Sequence, residues 1–309
     1  MGSGHGYGKV ILFGEHFVVY EGMPAVVSAV DKRTTAEVSR KKEPGFTIQD
    51  DRLATEGYKE NYLSQQKESI QRMVAEMGLG FSKNGVRIKL EGDLYVAGGI
   101  GASAASCAAI ARALNEEYKL DLKDDRINEL ALEGDKAYAG NPSGVDNTAA
   151  VYGGLIWFQK KPPVMELMKT PNPLHIVMGN TGKVANTKVA VAGVKERKEK
   201  EPEKYDEIFK EAKQLVLSAK MSLLEGDFET TAGHVNRNHE LLQEIEVSSP
   251  ELDKLVEIAL NAGATAAKMT GGGMGGYMYA ITPDPEIQEK VVKAMEDEGF
   301  KAFSTSVGV

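Results

Sequence analysis

Cysteine is nearly absent from the chain, since Cys107 is the only one among 309 residues. An internal disulfide needs two cysteines and a cysteine-based metal cluster needs more, so the sequence excludes both within one chain. The five histidines do not form a zinc-ligand spacing. No serine lies in a Gly-x-Ser-x-Gly nucleophile elbow, which disfavours a covalent hydrolase.

Long hydrophobic runs and an excess of basic residues are also missing. No apolar stretch approaches the length of a membrane span, and no secretory signal is visible. The 37 Lys and Arg against 45 Asp and Glu leave a formal charge of −8, which argues against general affinity for nucleic acids. With 42% hydrophobic and 27% charged residues, the composition is typical of a globular protein. We expect a cytoplasmic protein without nucleic-acid or membrane partners.

Glycine, in contrast, is abundant, and three glycines lie just before a helical pattern at residues 107–118. Gly98, Gly99 and Gly101 can adopt backbone angles barred to other residues, so successive N–H groups can point toward one anion. The helix start adds unpaired N–H groups and partial positive charge, and Ser103 adds a hydroxyl that could contact a metal ion. Neither a Walker motif nor a dinucleotide fingerprint fits the spacing. The segment indicates another kind of phosphate loop, or a tight strand-to-helix turn packed with alanine.

Three further features are candidates for chemistry. A second loop, at residues 270–276, holds five glycines, more than a hairpin needs, which favours close approach to a ligand or another loop. Asp146 follows a rigid turn and is either a general base, or its electrostatic anchor, or the cap of a helix beginning at Asn147. Lys9 precedes an apolar strand, where it pairs with Asp146 or a substrate hydroxyl, or is an ordinary surface lysine. His16 either binds substrate or is structural.

The order of predicted elements indicates an α+β sandwich in two domains, residues 1–170 and 171–309, separated near a group of prolines. Hydrophobic patterns predict strands at residues 10–13, 17–20, 25–30, 34–38, 46–49, 86–90, 155–158, 174–178, 264–269, 277–281 and 300–307. They predict helices at 62–77, 107–118, 205–224, 229–245 and 285–298, one capped by Asp124, and one capped by Ser249.

Taken in order, these motifs resemble the GHMP superfamily, named for galactokinase, homoserine kinase, mevalonate kinase and phosphomevalonate kinase. The resemblance covers nearly the whole chain. Its motifs are Tyr7-Gly-Lys-Val10 with Gly14-Glu-His16, Gly99-Ile-Gly-Ala-Ser-Ala-Ala105, and Lys268-Met-Thr-Gly-Gly-Gly-Met-Gly-Gly276. The segments that are similar to the mevalonate kinase branch are Phe13–Tyr20, Gly140–Asn147, Asn180-Thr-Gly with Asn-Thr-Lys188, and Asn236-Arg-Asn-His239.

The resemblance implies an N-terminal domain like ribosomal protein S5 domain 2, a ferredoxin-like C-terminal domain, and ATP-dependent phosphorylation of the C5 hydroxyl of mevalonate. It implies Asp146 and Lys9 as catalytic residues, Glu15, His16 and Thr181 as contacts to mevalonate, and Gly271, Gly272 and Gly273 near the phosphates. ATP would lie on Gly98, Gly99, Ile100, Gly101, Ala102, Ser103 and Ala104. Mg²⁺ would be held by Ser103 and a second residue.

The chain departs from the family pattern at three places. The second metal ligand of the family is Glu, and its position here is Asp135; Glu133 is the alternative, but it points nearly opposite on the predicted helix. Tyr7 replaces a proline, and Ala102 replaces a serine. Another small-alcohol kinase of the same fold, for phosphomevalonate or homoserine, is the nearest alternative, followed by a non-catalytic nucleotide sensor. The sequence leaves the oligomeric state open, a homodimer included.

Overall fold

A computed structural model describes residues 1–96, 99–140, 142–185 and 187–308 of the chain. The chain forms two compact units. The first unit consists of Met1–Lys9, Ala29–Ala97 and Gly101–Gly153. The second consists of Val10–Ser28, Gly98–Ile100 and Gly154–Val309.

Strands and helices follow one another in short runs along the chain. The strands are β1 (Gly2–Phe13), β2 (Pro24–Lys41), β3 (Phe46–Asp50), β4 (Gly85–Gly92), β5 (Leu155–Gln159), β6 (Val164–Met168), β7 (Leu174–Asn180), β8 (Ala266–Met269), β9 (Tyr277–Ile281) and β10 (Lys301–Val307). The helices are α1 (Tyr58–Asn61), α2 (Leu63–Glu76), α3 (Ala102–Tyr118), α4 (Asp124–Ala139), α5 (Val145–Tyr152), α6 (Thr187–Lys200), α7 (Pro202–Glu225), α8 (Phe228–Glu244), α9 (Pro250–Asn261) and α10 (Pro285–Asp297).

In the first unit, β4 lies between β2 and β3, antiparallel to β2 and parallel to β3. Helices α2, α3, α4 and α5 pack against one another. Helix α3 is rich in alanine, and its buried residues cover most of its circumference. Small side chains let the neighbouring helices and strand approach it closely, so α3 is the central helix of this unit.

Strand β1 approaches α3 through glycines at alternate positions. A Cβ atom on Gly2 would lie 2.2 Å from the carbonyl oxygen of Ala113, and one on Gly4 would lie 2.4 Å from that of Ala109. A Cβ atom on Gly6 would lie 2.3 Å from the Ala105 carbonyl oxygen. The two-residue repeat of a strand face therefore matches the four-residue repeat of a helix face. The strand thus begins well before the apolar stretch that predicted it, because its glycines follow helix packing and not hydrophobicity.

The second unit contains a four-stranded antiparallel sheet in the order β10-β7-β9-β8. Helices α8, α9 and α10 pack against strands of this sheet. The chain order of strands and helices, together with this sheet order, is that of a ferredoxin-like domain. In the same unit, residues 24–28 of β2 pair with β5, and β5 pairs with β6.

Several local predictions are wrong. Residues 17–20 do not form a strand; Phe17–Val19 is a 3₁₀ turn, because Gly14 (φ 95°) and His16 (φ 60°) turn the chain away from an extended path. The two strands predicted at 25–30 and 34–38 are one continuous strand, β2. Asp124 does not cap α4 but is its first residue, and its carboxylate accepts a hydrogen bond from Arg112.

Candidate active site

Lys9 and Asp146 form an ion pair inside the first unit. The Lys9 Nζ atom lies 3.1 Å from Asp146 Oδ1, and the side chain of Lys9 is only 4% exposed, against 35% for Asp146. Asp146 is the second residue of α5, whose N-cap position is Gly144 and has no side-chain cap. The alternative interpretation of Asp146 as a helix cap is therefore wrong, and its carboxylate is directed toward a buried cation.

Ser103 and Asp135 form a second pair in the same unit. The Ser103 hydroxyl, in the first turn of α3, donates a hydrogen bond to the carboxyl group of Asp135 on α4. Burial raises the pKa of Asp135 to about 6, and the negative charge of Asp146 acts in the same direction. The Ser103 hydrogen bond and the Lys9 charge oppose that rise. The four side chains therefore form one electrostatically coupled cluster, with two carboxyl groups and one ammonium group.

Glu133 does not join this cluster. Its Oε1 atom lies 2.9 Å from Arg72 and its Oε2 atom 2.5 Å from Lys136, and the Lys136 hydrogen bond lowers the pKa of Glu133. Asp135 Oδ1, in contrast, is buried and has no hydrogen-bond partner among the described residues. Of the two candidates, only Asp135 has a free oxygen beside Ser103. No cluster of three or more His, Cys, Asp or Glu side chains suited to a metal ion occurs in the part of the chain described.

The glycine loop before α3 packs tightly at its last residue. Gly101 has a positive φ of 73°, and a Cβ atom there would lie 2.9 Å from Cγ of Lys9. Any other residue there would force Lys9 or the loop to shift and would strain the backbone at this positive φ, so the close packing beside the ion pair favours glycine. Ile100, Ala104 and most of the following α3 residues are buried, and Ala102 occupies the first position of the helix. Gly99 also has a positive φ, of 90°, whereas Gly98 lies outside the described residues.

Arg52 supports the first turn of α3, a role that the sequence did not reveal. Arg52 is 3% exposed, and its guanidinium group donates to Ser106 Oγ at 2.6 Å and to Asp50 Oδ2 at 2.5 Å. Ser106 in turn donates to the carbonyl oxygen of Ala102 at 2.7 Å. An isolated arginine after a short strand carries no motif, so only the three-dimensional contacts identify it.

In the second unit, Glu15 and Lys268 form a fully buried ion pair. Both side chains are 0% exposed, and Lys268 also donates to the Met269 carbonyl oxygen at 2.8 Å. The Lys268 ammonium lies 5.4 Å from the centre of the Tyr279 ring, within the range of a cation–π interaction. The Glu15 carboxylate is thus held against a fixed cation. Both residues belong to family motifs in the sequence, since Glu15 lies in the first motif and Lys268 begins the third.

His16 is buried beside the second glycine loop. Burial lowers its pKa to about 4, so the imidazole is neutral at neutral pH. Its Nε2–H donates to the Gly272 carbonyl oxygen at 3.1 Å. That hydrogen bond leaves Nδ1 as an acceptor, and Nδ1 has no partner among the residues described. The structure therefore holds a buried histidine lone pair that no described group of the protein occupies.

The second glycine loop is compact because it touches other segments of the second unit. A Cβ atom on Gly272 would lie 2.0 Å from Thr187 Oγ1, and one on Gly273 would lie 2.1 Å from the Val247 carbonyl oxygen. Gly271 has a positive φ of 79°. The Thr181 hydroxyl donates to the Gly276 carbonyl oxygen at 3.0 Å and accepts from Lys183 N. The close approach that the glycines predicted is confirmed for neighbouring protein segments.

Family models match both parts of the chain. The model described as GHMP kinases N terminal domain matches residues 61–154, and the model described as GHMP kinases C terminal matches residues 221–302. The domain boundary predicted near residue 170 lies in the interval between the two matches and stays a prediction.

Individual relatives match over nearly the full length. Mevalonate kinase of Thermococcus sibiricus is 33% identical over 97% of this chain and 94% of its own length. Mevalonate kinase of Pyrococcus furiosus is 34% identical with the same coverage. A crystal structure of mevalonate kinase of L. major in complex with R-mevalonate superposes with a TM-score of 0.94 at 33% identity, covering 99% of this chain and 96% of that one. The predicted α+β fold of two kinase domains is confirmed.

Proposed function

Because this chain belongs to the GHMP kinase family, we propose that it phosphorylates the C5 hydroxyl group of mevalonate with ATP. The full-length similarity to mevalonate kinases and the ion pair of Lys9 with Asp146 support this proposal. Phosphoryl transfer needs little covalent chemistry from the protein, since positioning and electrostatic stabilisation supply most of the rate. The carboxyl, ammonium and hydroxyl groups of the cluster formed by Lys9, Ser103, Asp135 and Asp146 are of the kinds that such a reaction uses.

The phosphate groups of ATP bind at the start of α3. Helix α3 has 17 residues, and its first turn lacks a side-chain cap, so its unpaired N–H groups remain available to an anion. These helix residues are Ala102, Ser103 and Ala104, and the preceding Gly99, Ile100 and Gly101 contribute further backbone N–H groups, while Gly98 lies outside the described residues. Arg52 holds the backbone of this turn through Ser106, which keeps the donors in place before ATP arrives.

Asp146 and Lys9 act on the hydroxyl group of the acceptor. Asp146 accepts the proton of the hydroxyl group, or it holds Lys9 so that the ammonium charge lowers the pKa of that hydroxyl. The geometry suits both roles, since one Asp146 oxygen faces Lys9 and the side chain is still 35% exposed to a reactant. Burial of Lys9 keeps its charge close to the transferring phosphoryl group, where negative charge develops.

The cluster also fits a magnesium ion. Mg²⁺ binds oxygen ligands, usually one or two carboxylates together with substrate phosphates and water. Asp135 has a buried oxygen without a partner and Ser103 has a hydroxyl, so these two residues would hold the ion. When bound, Mg²⁺ would neutralise phosphate charge during transfer. The shorter side chain of Asp135, compared with Glu in the family, is compatible with contact through a water molecule.

In the second unit, His16 is the contact that we propose for mevalonate. Its free Nδ1 accepts a hydrogen bond from a substrate hydroxyl group. Glu15 is fully buried against Lys268, and its contact to mevalonate stays a prediction. Thr181 and the glycines at 271–273 belong to one loop structure, in which Thr181 keeps one lone pair for a ligand.

The replacement of Asp146 by Asn tests the proposal. We expect Asp146→Asn to lower kcat by about 10²–10⁴-fold, because it removes the proton acceptor and the partner of Lys9. Binding of ADP, measured by calorimetry, is expected to stay unchanged. The matched control is Asp121→Asn, since Asp121 is exposed, pairs with the exposed Lys123 and makes no contact with the cluster among the described residues. Near-normal turnover of Asp146→Asn would contradict the assignment.

The acceptor is tested separately with the wild-type protein. ATP consumption is measured with mevalonate, phosphomevalonate, homoserine or galactose, and with no acceptor. We expect consumption with mevalonate alone. Preference for another alcohol would place the protein elsewhere in the family, and no stimulation by any acceptor would support a non-catalytic nucleotide sensor.

A further inference from the structure

A basic pocket lies in the first unit, at the opposite end of α3 from Ser103. The pocket has a volume of about 680 Å³, and five of the ten residues that line it are Lys or Arg, whereas only Glu43 is acidic. The basic residues of this pocket are Arg40, Lys41, Lys42, Lys83 and Arg87. Ser103 and Tyr118, which lines the pocket, are separated by about 22 Å along the helix at 1.5 Å per residue. The pocket is therefore separate from the phosphate loop.

Two of the five cations are already engaged within the protein. Arg40 donates to Glu117 Oε1 at 3.0 Å, and its guanidinium group lies 4.6 Å from the centre of the Tyr118 ring. Lys41 donates to the Pro44 carbonyl oxygen at 3.2 Å. These contacts hold two side chains in place on one wall of the pocket. Arg40 is held by a carboxylate and an aromatic ring, and Lys41 is held by a backbone carbonyl group.

The other three cations have no such partners. Within the described residues, the side chains of Lys42, Lys83 and Arg87 make no hydrogen bond or ion pair to another group of the protein. Elsewhere most basic side chains pair with one of the many acidic residues, in a chain whose formal charge is −8. Three unpaired cations around one concavity repel one another, and a bound anion would remove this repulsion.

The backbone around the pocket is held by the sheet. Residues Arg40 and Lys41 of β2 pair with Val86 and Gly85 of β4, and Arg87 follows directly in the same strand. Gly45 N donates to the Phe81 carbonyl oxygen at 2.7 Å, which ties the turn after β2 to the segment before β4. The backbone that carries the cations is therefore already held by these hydrogen bonds, and a ligand does not have to order it.

We propose that this basic pocket binds a small, soluble anion with several phosphate charges. Its volume lies in the range of small-molecule sites. A long nucleic acid is disfavoured, because the net charge of the protein is negative and the one aromatic residue of the pocket, Tyr118, stacks with Arg40. The C-terminal end of α3 carries partial negative charge, so the dipole opposes an anion and the side-chain cations must supply the attraction. A multivalent anion meets this requirement better than a single phosphate.

Calorimetric titration with inorganic tripolyphosphate tests the proposal. The titration is done on the full chain with saturating ADP, which occupies the phosphate loop. The pocket variant is Lys42→Gln/Lys83→Gln/Arg87→Gln, and the control variant is Lys67→Gln/Lys169→Gln/Lys210→Gln, which removes the same charge at exposed sites. We expect wild-type and control proteins to bind tripolyphosphate at one further site, and the pocket variant to bind it about tenfold more weakly.

Three outcomes would overturn the proposal. One is the absence of tripolyphosphate binding to the wild-type protein under saturating ADP. Another is equal weakening in the two triple variants, which would show a general charge effect. The third is tighter binding of a short single-stranded oligonucleotide that the pocket variant loses, which would replace the small ligand by a nucleic acid. None of these results depends on turnover, so they leave the proposed kinase activity untouched.

Discussion

At the scale of the single residue, Asp135 shows how burial acts on a carboxyl group. The side chain is 3% exposed, and loss of water raises its pKa to about 6, above the usual value of 3.8. Asp146 adds to the rise because its negative charge disfavours a second carboxylate nearby. Without a ligand, this site disfavours the ionised form of the Asp135 carboxyl group. A cation suits such a site, because Mg²⁺ would stabilise the ionised form.

The raised pKa of Asp135 predicts a dependence of stability on pH. Between pH 3.8 and about 6 the folded protein holds a proton that the unfolded chain releases, so this residue lowers stability as pH rises through that interval. In the variant Asp135→Asn the side chain does not titrate, so this loss of stability with rising pH disappears. Without Mg²⁺, we expect the variant to gain about 2 kcal/mol on the wild type between pH 4 and pH 7. Urea denaturation at both pH values measures the difference, and parallel pH profiles of the two proteins would contradict it.

The choice of Asp135 over Glu133 was available from helix geometry. Residues 131 and 135 lie on one face, and Ala131 is buried, whereas Glu133 points elsewhere and binds Arg72 and Lys136. The pairing of Asp146 with Lys9 was only one of several alternatives in the sequence. Those two residues lie far apart along the chain, and no local rule chooses between an ion pair and a helix cap.

At the scale of the element, the first turn of α3 depends on Arg52. The guanidinium group connects Asp50 of β3 with Ser106 of α3, and Thr34 of β2 accepts from it at 3.1 Å. A strand end and a helix start are thus joined through one buried cation. The position of the N–H groups that would bind phosphate follows from this arrangement.

Replacement of Arg52 tests that arrangement. Arg52→Met leaves the Asp50 carboxylate without its main partner, which we expect to cost about 3 kcal/mol of stability. In the remaining folded protein we expect a higher KM for ATP and an unchanged KM for mevalonate, because only the phosphate turn is loosened. Steady-state kinetics below the unfolding temperature separates the two constants. Arg52→Lys should recover part of the ATP affinity.

The control for this prediction is Arg126→Met. Arg126 lies on α4, is partly exposed and pairs with Glu76 and Glu129, away from the turn. If Arg126→Met raised the KM for ATP as much as Arg52→Met, the effect would come from general destabilisation and the role of Arg52 would be wrong.

At the scale of the whole molecule, the Glu15–Lys268 pair joins parts of the chain that lie 253 residues apart. Tyr279 also donates to the Leu12 carbonyl oxygen at 2.9 Å, and Thr270 donates to that of Ile11 at 3.0 Å. An early segment of the chain is therefore incorporated into the second unit. A buried charge contributes to this connection only while its partner is present.

Double-mutant analysis measures the connection. We expect Lys268→Met or Glu15→Gln alone to cost about 3–5 kcal/mol, because each leaves a buried charge or polar group without its partner. The double variant should cost clearly less than the two losses together. Lys254→Met, which breaks an exposed pair with Glu298, is the control and should change stability by less than about 1 kcal/mol. Additive losses in the free energy of urea unfolding would disprove the coupling.

Among the helices that the structure describes, none combines the length and apolarity needed to cross a membrane.

The kinase family, the two glycine loops and most helices were predictable from the order of the amino acids, because glycine runs, capping residues and hydrophobic periods act over a few neighbouring positions. Ser249, for example, caps α9 as predicted, with its hydroxyl accepting from Leu252 N. Three contacts became visible only in three dimensions: Asp146 faces Lys9, Arg52 supports α3, and the glycines at positions 2, 4 and 6 lie against a helix. Each of these contacts joins residues distant in the chain, where burial and charge, and not local pattern, select the partner.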